Sequence, residues 1–421
     1  MGRLLLNNFG PINSCDISID RFTVFTGPQA AGKSTIAKAI AYFRTLKDDL
    51  RDCIIKQQTT TVSAKLIKVF STQMRHKFLQ LFGSSRAMDN DMNMQYYYDD
   101  NTFIHVSLKM AEGSDYIAPK YIYIDFSKDI DDYLRSPHEN TSKAELVNEL
   151  NTLFHDDYDT IFIPAGRNLI TLLTDQMNYL FTMMDEDQKK SIDYCTQKYV
   201  ERILKIRSSF NSGIEGYIAL KGKISTGPAI NKCIELAHNI LKGRYVFENG
   251  EEKLYLDNPK NRYVKINYTS SGQQEIVWLI NILLYQLANE IKSFVIIEEP
   301  EAHLFPDAQK TITEIVSVFM GEQNAALVTT HSPYILGAVN NMVYANKIAG
   351  SKGAVNYESV KSILDKKTWI EKCGAFYVID GLVSSCLEED GVLIKNEIID
   401  NASEIINMEY DSLFEIGEAK I

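Results

Sequence analysis

The sequence is poor in the features that would let a chain do without a large core or leave the aqueous phase. Its 6 cysteines in 421 residues (Cys15, Cys53, Cys195, Cys233, Cys373 and Cys386) never form a C-x-x-C pair. That excludes a small disulfide scaffold and predicts buried free thiols. With 10 prolines and 22 glycines and no tract of either, collagen-like and low-complexity readings are excluded as well. No apolar run approaches the ~20 residues that span a bilayer, and residues 1–10 carry no secretory pattern, so the expectation is a cytoplasmic protein with no membrane partner. Leu6 stands where an N-myristoylation signal needs Ser or Thr. An excess of positive charge is also missing: 44 Lys+Arg against 55 Asp+Glu give a net charge of -11. A chain that wraps nucleic acid over a broad surface runs basic, so only a local DNA-binding patch stays open.

What is present is an average globular composition, 45% hydrophobic and 24% charged, over a length that at ~150 residues per domain gives two or three domains or one large core with insertions. Short strands are predicted over 4–6, 15–19 and 22–26, the last feeding a glycine-rich loop and a helix from Lys33 to about Phe43. Val62, Leu66, Phe70, Met74, Phe78 and Phe82 form a helical stripe whose basic neighbours, Lys65 to Lys77, read as a solvated face. The segment 83–101, with its Tyr96-Tyr97-Tyr98 triplet, reads as a mobile loop. A helical lobe follows, ending near Leu241 at Gly243. From Ser270 helix and strand alternate, which means a mostly parallel sheet with packed helices. The expected fold is α/β, divided into 1–50, a mixed and largely helical insertion 51–244, a second half 245–350, and a small C-terminal extension 351–421.

Three clusters carry chemistry. Gly27-Pro28-Gln29-Ala30-Ala31-Gly32-Lys33-Ser34 matches G-x-x-x-x-G-K-[ST] between a strand and a helix. Its glycines let successive N–H groups surround phosphate oxygens, the helix start adds positive potential, Lys33 reaches the β- and γ-phosphates, and Ser34 offers a hydroxyl to Mg²⁺. Phe294 to Glu299 is an apolar strand ending in two carboxylates. Glu298 is the candidate for the metal and Glu299 for the general base. In Thr329-Thr330-His331-Ser332-Pro333, His331 can hydrogen-bond the γ-phosphate or cap the next helix, and its place beside the other motifs favours the phosphate. Finally, Ser270-Ser271-Gly272-Gln273-Gln274 opens an apolar-faced helix. That makes a second anion-binding helix start in a chain that already has a P-loop, so it would serve a nucleotide held by another copy.

In this order the motifs resemble the ABC-type AAA-family ATPases of the SMC, RecF and OLD group. More narrowly they resemble stand-alone ATPases of bacterial anti-phage systems such as PARIS or Septu. The resemblance implies a P-loop NTPase head, a mixed sheet with flanking helices and a helical insertion. It implies ATP and Mg²⁺ as cofactors, with Gly27, Lys33, Ser34 and Thr35 binding nucleotide and Glu298 and Glu299 as the Walker B acids. Ser271 and Gly272 would touch a partner's γ-phosphate, and His331 would be the switch histidine. It further implies head-to-tail assembly with itself and, in the defence reading, a separate effector protein such as a nuclease. A DNA-repair or chromosome-maintenance ATPase of the RecF/SMC type is the alternative. Two departures stand in the sequence: Gln273 replaces the second glycine of Leu-Ser-Gly-Gly-Gln, and the Q-loop has only Gln57 or Gln58 as candidates. Between residues 50 and 240 the one further match is Ile163-Pro164-Ala165-Gly166-Arg167.

Overall fold

A computed structural model describes residues 1–59, 65–109, 121–138, 141–185, 193–221, 227–257, 262–321, 323–351, 354–399 and 407–409. The amino-terminal strands are β1 (Arg3–Phe9), β2 (Ile12–Ser18) and β3 (Phe22–Thr26), and the next three are β4 (Asn93–Tyr97), β5 (Phe103–Lys109) and β6 (Tyr121–Phe126). They are followed by β7 (Asp159–Ile163), a small meander of β8 (Gly243–Glu248), β9 (Glu251–Leu256) and β10 (Tyr263–Lys265), then β11 (Ser293–Glu298), β12 (Ala325–Thr329), β13 (Gly374–Ile379) and β14 (Leu382–Ser385). Eleven of these form one sheet, in the order β6-β5-β4-β1-β2-β14-β13-β3-β12-β11-β7. The half from β6 to β2 is antiparallel, whereas β13, β3, β12, β11 and β7 run parallel. The fold is thus mixed α/β with helices on both faces of a large sheet.

The parallel strands are apolar on consecutive residues because both of their faces are covered. Val295 and Ile297 of β11 join a core built with the helices Tyr194–Ile206, Pro228–Leu241, Ser271–Asn289, Pro306–Met320 and Pro333–Ser351. Phe294 and Ile296 point the other way, into a core with the helices Lys33–Arg44, Leu46–Thr59 and Leu66–Phe82. All six cysteines are buried and free. Among the described residues no helix is long and apolar enough to cross a membrane.

Three segments differ from their sequence reading. Residues 93–97, expected within a loop, form β4, paired between β1 and β5, and Tyr96 is fully buried with its ring stacked on Phe43 at 5.5 Å. The alternation was hidden by polar partners on the outward face, Asn93 and Gln95. The helix ending at Leu241 closes on Lys242 in the left-handed region (φ 53°), and Gly243 instead begins β8. Most consequentially, the segment 351–421, expected to be a small extension, supplies β13 and β14 to the middle of the sheet, where β13 lies directly against β3. Beyond residue 399 only residues 407–409 are among those described.

The first helix is anchored at its far end by Arg44. Its guanidinium is buried, lies over the Phe294 ring at 4.1 Å, and donates to Asp156 Oδ1 at 2.9 Å. Lys47 closes the group through the Asp156 carbonyl at 2.6 Å. Removing one partner of a buried pair leaves the other charge without compensation. Asp156→Ala is therefore expected to destabilise the fold by about 3–5 kcal/mol in urea unfolding, and a loss below ~1 kcal/mol would show that the pair does not secure this helix.

Candidate functional site

The loop between β3 and the helix Lys33–Arg44 turns on two glycines in the left-handed half of backbone space, Gly27 (φ 139°) and Gly32 (φ 108°). Gly27 is also pressed by β13: a Cβ there would lie 2.2 Å from the Val378 carbonyl oxygen. Pro28, Gln29, Ala30 and Ser34 are exposed, Ala31 and Thr35 half-buried, and Ala30 itself is left-handed (φ 61°). Lys33 folds back under the loop, donating to the carbonyls of Gly27 and Pro28, each at 2.8 Å, with His331 Nδ1 at 3.4 Å. An ammonium only donates, so His331 faces it with the ring lone pair and carries its proton on Nε2. That nitrogen looks toward Glu299 Oε1 at 3.5 Å. Burial pulls the Lys33 ammonium below its ordinary value, while Glu299 and Glu301 act to raise it.

The two acids sit at the end of β11, beside β12 and β7. Glu298 is buried; its Oε2 accepts from the Ala165 amide at 3.3 Å, the nearby Ser34 hydroxyl favours its charged form, and Oε1 has no hydrogen-bond partner. Burial raises the carboxyl above its usual range. A buried, unsatisfied carboxylate oxygen beside a serine hydroxyl suits a hard divalent cation such as Mg²⁺, which takes oxygen ligands. Glu299 turns out of the strand in the left-handed region (φ 43°), its amide held by the Thr329 carbonyl at 2.9 Å, and its side chain is more exposed. That strained bend separates the two carboxylates, one inward and one toward His331.

Ser270 caps the helix Ser271–Asn289, accepting from the Gln273 amide, while Gln273 Oε1 accepts from the Ser270 amide at 3.0 Å. This capping box explains the residue that replaces glycine: Gln273 closes the helix start and also donates to the Leu241 carbonyl at 2.7 Å. Ser271 is exposed. Gly272 packs so tightly on the loop after β11 that a Cβ would stand 2.8 Å from the His303 carbonyl oxygen. The structure therefore brings Lys33, Glu299 and His331 together at the loop, and sets Gly272 beside His303 and Leu304. Gln58 spends its amide on the carbonyls of His138 and Thr141, at 2.6 and 3.2 Å, within the insertion.

A model of the AAA ATPase domain matches residues 1–336, most of the chain. The protein belongs to the AAA ATPase domain family. It is accordingly a nucleotide-binding enzyme that hydrolyses ATP. No curated protein matches the chain. Among solved structures, an Smc head bound to the C-terminal winged-helix domain of ScpA is similar at 14% identity and TM-score 0.42, covering 92% of this chain and 98% of that one. The SMC head domain of Thermotoga maritima is similar at 12% identity and TM-score 0.38, with 92% and 98% covered. An Smc head with coiled coil and joint from Pyrococcus yayanosii is similar at 12% identity and TM-score 0.42, with 97% and 100% covered.

Behind the motifs of this ATPase lies a residue that the sequence marked only as a weak match. Arg167, fully buried, donates to the carbonyls of Pro164 (2.8 Å), Glu298 (2.6 Å) and Glu299 (2.9 Å). Its Nε reaches the Glu275 carbonyl at 3.0 Å and lies 3.2 Å from the Glu275 carboxylate, which also accepts the Arg167 amide at 3.0 Å. One guanidinium thus ties the loop after β7, the end of β11 and the first turn of the Ser271–Asn289 helix. Glu275, five residues after Ser270 in an apolar helix, was the available signal, because a buried acid there demands a buried base. Arg167→Ala, which strands the Glu275 carboxylate, is expected to cost about 3–5 kcal/mol. Glu275→Gln, which keeps an acceptor for the amide, is expected to cost ~1–2 kcal/mol. Chemical denaturation checks both; an Arg167→Ala protein as stable as the parent would contradict this anchoring.

Proposed function

We propose that this ATPase works as a head-to-tail pair in which the P-loop of one copy and the Ser271–Gly272 helix start of the other enclose each ATP. The observation that carries the reading is a second helix start with an exposed serine in a chain that already has a P-loop. Ser271 and Gly272 open a helix whose free amides can bind an anion, with Ser271 exposed to solvent and Gly272 packed on the loop after β11. Large side chains beside the motifs also stand in solvent: Tyr268 is 80% exposed, Phe305 77% and Tyr334 54%. Such a rim around an incomplete site suits association with a second copy.

Within each site, residues Gly27 to Thr35 hold the triphosphate, with Lys33 turning from its loop carbonyls to the β- and γ-phosphates. Ser34 and Glu298 would hold Mg²⁺, which supplies charge neutralisation on the phosphates. Glu299 accepts the proton of the attacking water, and His331 hydrogen-bonds the γ-phosphate region from its place between Lys33 and Glu299. The cycle of pairing and release would be coupled to a separate effector, in keeping with the motif order shared with anti-phage ATPases.

Lys33→Ala is expected to abolish ATP binding or turnover, read by nucleotide titration and phosphate release. Glu299→Gln is expected to retain ATP and slow hydrolysis by roughly 10²- to 10⁴-fold, as for a lost general base. In that slowed background, light scattering with ATP should show the paired species. Adding Ser271→Arg should abolish pairing while each copy still binds nucleotide. If pairing and hydrolysis with Ser271→Arg both equal the parent's, residues 270–274 are a helix cap and nothing more.

A further inference from the structure

Glu301, three residues past the strand end, is the one acid of the Glu298-Glu299-Pro300-Glu301 run to which the proposed chemistry gives no task. Its Oε1 accepts two bonds from the segment after β12, the His331 amide at 2.7 Å and the Thr330 hydroxyl at 2.7 Å. The Thr330 hydroxyl in turn accepts the Ser332 amide at 2.9 Å. Ser332 then caps the helix Pro333–Ser351 through the Tyr334 amide at 3.1 Å, and its hydroxyl is bonded to Gln309. On the other side Glu301 belongs to a tight turn in which the Ala302 amide bonds the Glu299 carbonyl at 3.1 Å and the Leu304 amide bonds the Glu301 carbonyl at 3.0 Å. This is the turn whose His303, in the left-handed region (φ 58°), and Leu304 lie against Gly272. The other carboxylate oxygen, Oε2, is buried and makes no hydrogen bond.

We infer that Glu301 is a positioning residue that fixes His331 between Lys33 and Glu299 and links it to the Gly272 helix start of the same chain. The reasoning is mechanical. Gly272 lies so close to the His303 carbonyl that no side chain fits between them, and the turn carrying His303 has Glu301 as its first residue. Glu301 Oε1 holds the backbone of His331 directly, so a shift at the helix start reaches the imidazole through two bonds and one packed contact. A misplacement of ~1 Å at a catalytic group costs on the order of 100-fold in rate. Contact made by a second copy's nucleotide at Gly272 is thereby felt at this chain's own site. The inference rests on the reading of His331 and Gly272 given above and adds the element that joins them.

The test uses the full-length protein with Glu301→Ala and Glu301→Gln, together with His331→Ala. Glutamine keeps an acceptor oxygen where the two bonds converge, and alanine removes it. The expected result is a split between kinetic parameters: in Glu301→Ala, KM for ATP stays within about threefold while kcat falls by roughly 10- to 100-fold, and Glu301→Gln returns kcat to within about threefold of the parent. ¹⁵N spectra of labelled histidines, assigned by the loss of the His331→Ala signal, give a second readout that does not depend on turnover. The parent without added nucleotide should show His331 with an unprotonated Nδ1 and a protonated Nε2, and Glu301→Ala should lose that fixed tautomer. A parental kcat in Glu301→Ala, a Glu301→Gln protein as slow as Glu301→Ala, or an unchanged His331 signature in Glu301→Ala would each overturn the inference. If instead His331→Ala itself hydrolyses ATP at the parental rate, the site reading fails and not merely this link.

Discussion

The site depends on one buried arginine. Arg167 lies fully enclosed with five polar partners, and those partners come from the loop after β7, the end of β11 and the helix that starts at Ser271. Its bonds to the carbonyls of Glu298 and Glu299 hold the backbone at the point where it turns into the left-handed region, so the two acids face different ways. A buried cation of this kind is stabilised only if its donors are used and a counter-charge is close, and Glu275 meets the second condition. The same bond set fixes the helix start relative to the strand end. Changes at Ser271 and Gly272 therefore cannot be independent of the acids.

A second constraint comes from the end of the chain. β13 runs parallel to β3 and presses the Val378 carbonyl against Gly27, so the loop is shaped from outside as well as by its own glycines. From below, Lys33 is held by two loop carbonyls and the His331 ring nitrogen. Phosphate oxygens, being charged, are stronger acceptors than these carbonyls. On the proposed reading, ATP would exchange these hydrogen-bond partners at Lys33 and so couple the loop to the segment after β12, whose His331 Nδ1 lies 3.4 Å from the ammonium.

How much of this could be read beforehand follows from locality. The glycine-rich loop and the apolar strand before the two acids are contiguous, and each has a backbone reason for its residue types, so both were legible as elements, though the strand ends at Glu298 and Glu299 bends out of it. The helix boundaries near Lys33 and Ser271 were legible for the same reason, since capping and periodicity are local. The place of β13 was not, because pairing across more than 340 residues, Phe376 with Phe25, leaves no mark in either segment. β4 was missed where Tyr96 and Tyr97 sit among polar neighbours, since only β1 and β5 on its flanks make them a strand. Gln273 looked like a defect in a signature when read against glycine. Read with Ser270 three residues earlier, it is a capping box, a signal present in the sequence all along.

The central claim is that each ATP is held by two chains, and complementation between two inactive proteins tests it most directly. A chain with Lys33→Ala keeps its Ser271–Gly272 helix start, and a chain with Ser271→Arg keeps its P-loop. In a mixed pair, the intact loop of one meets the intact helix start of the other, which restores one of two sites. On this account neither variant pairs with itself, so the pairs that form are mixed with one working site of two, and hydrolysis should recover to at most about half of the parental rate. A mixture no more active than the two proteins measured separately would contradict the composite site and leave each chain as a self-sufficient ATPase.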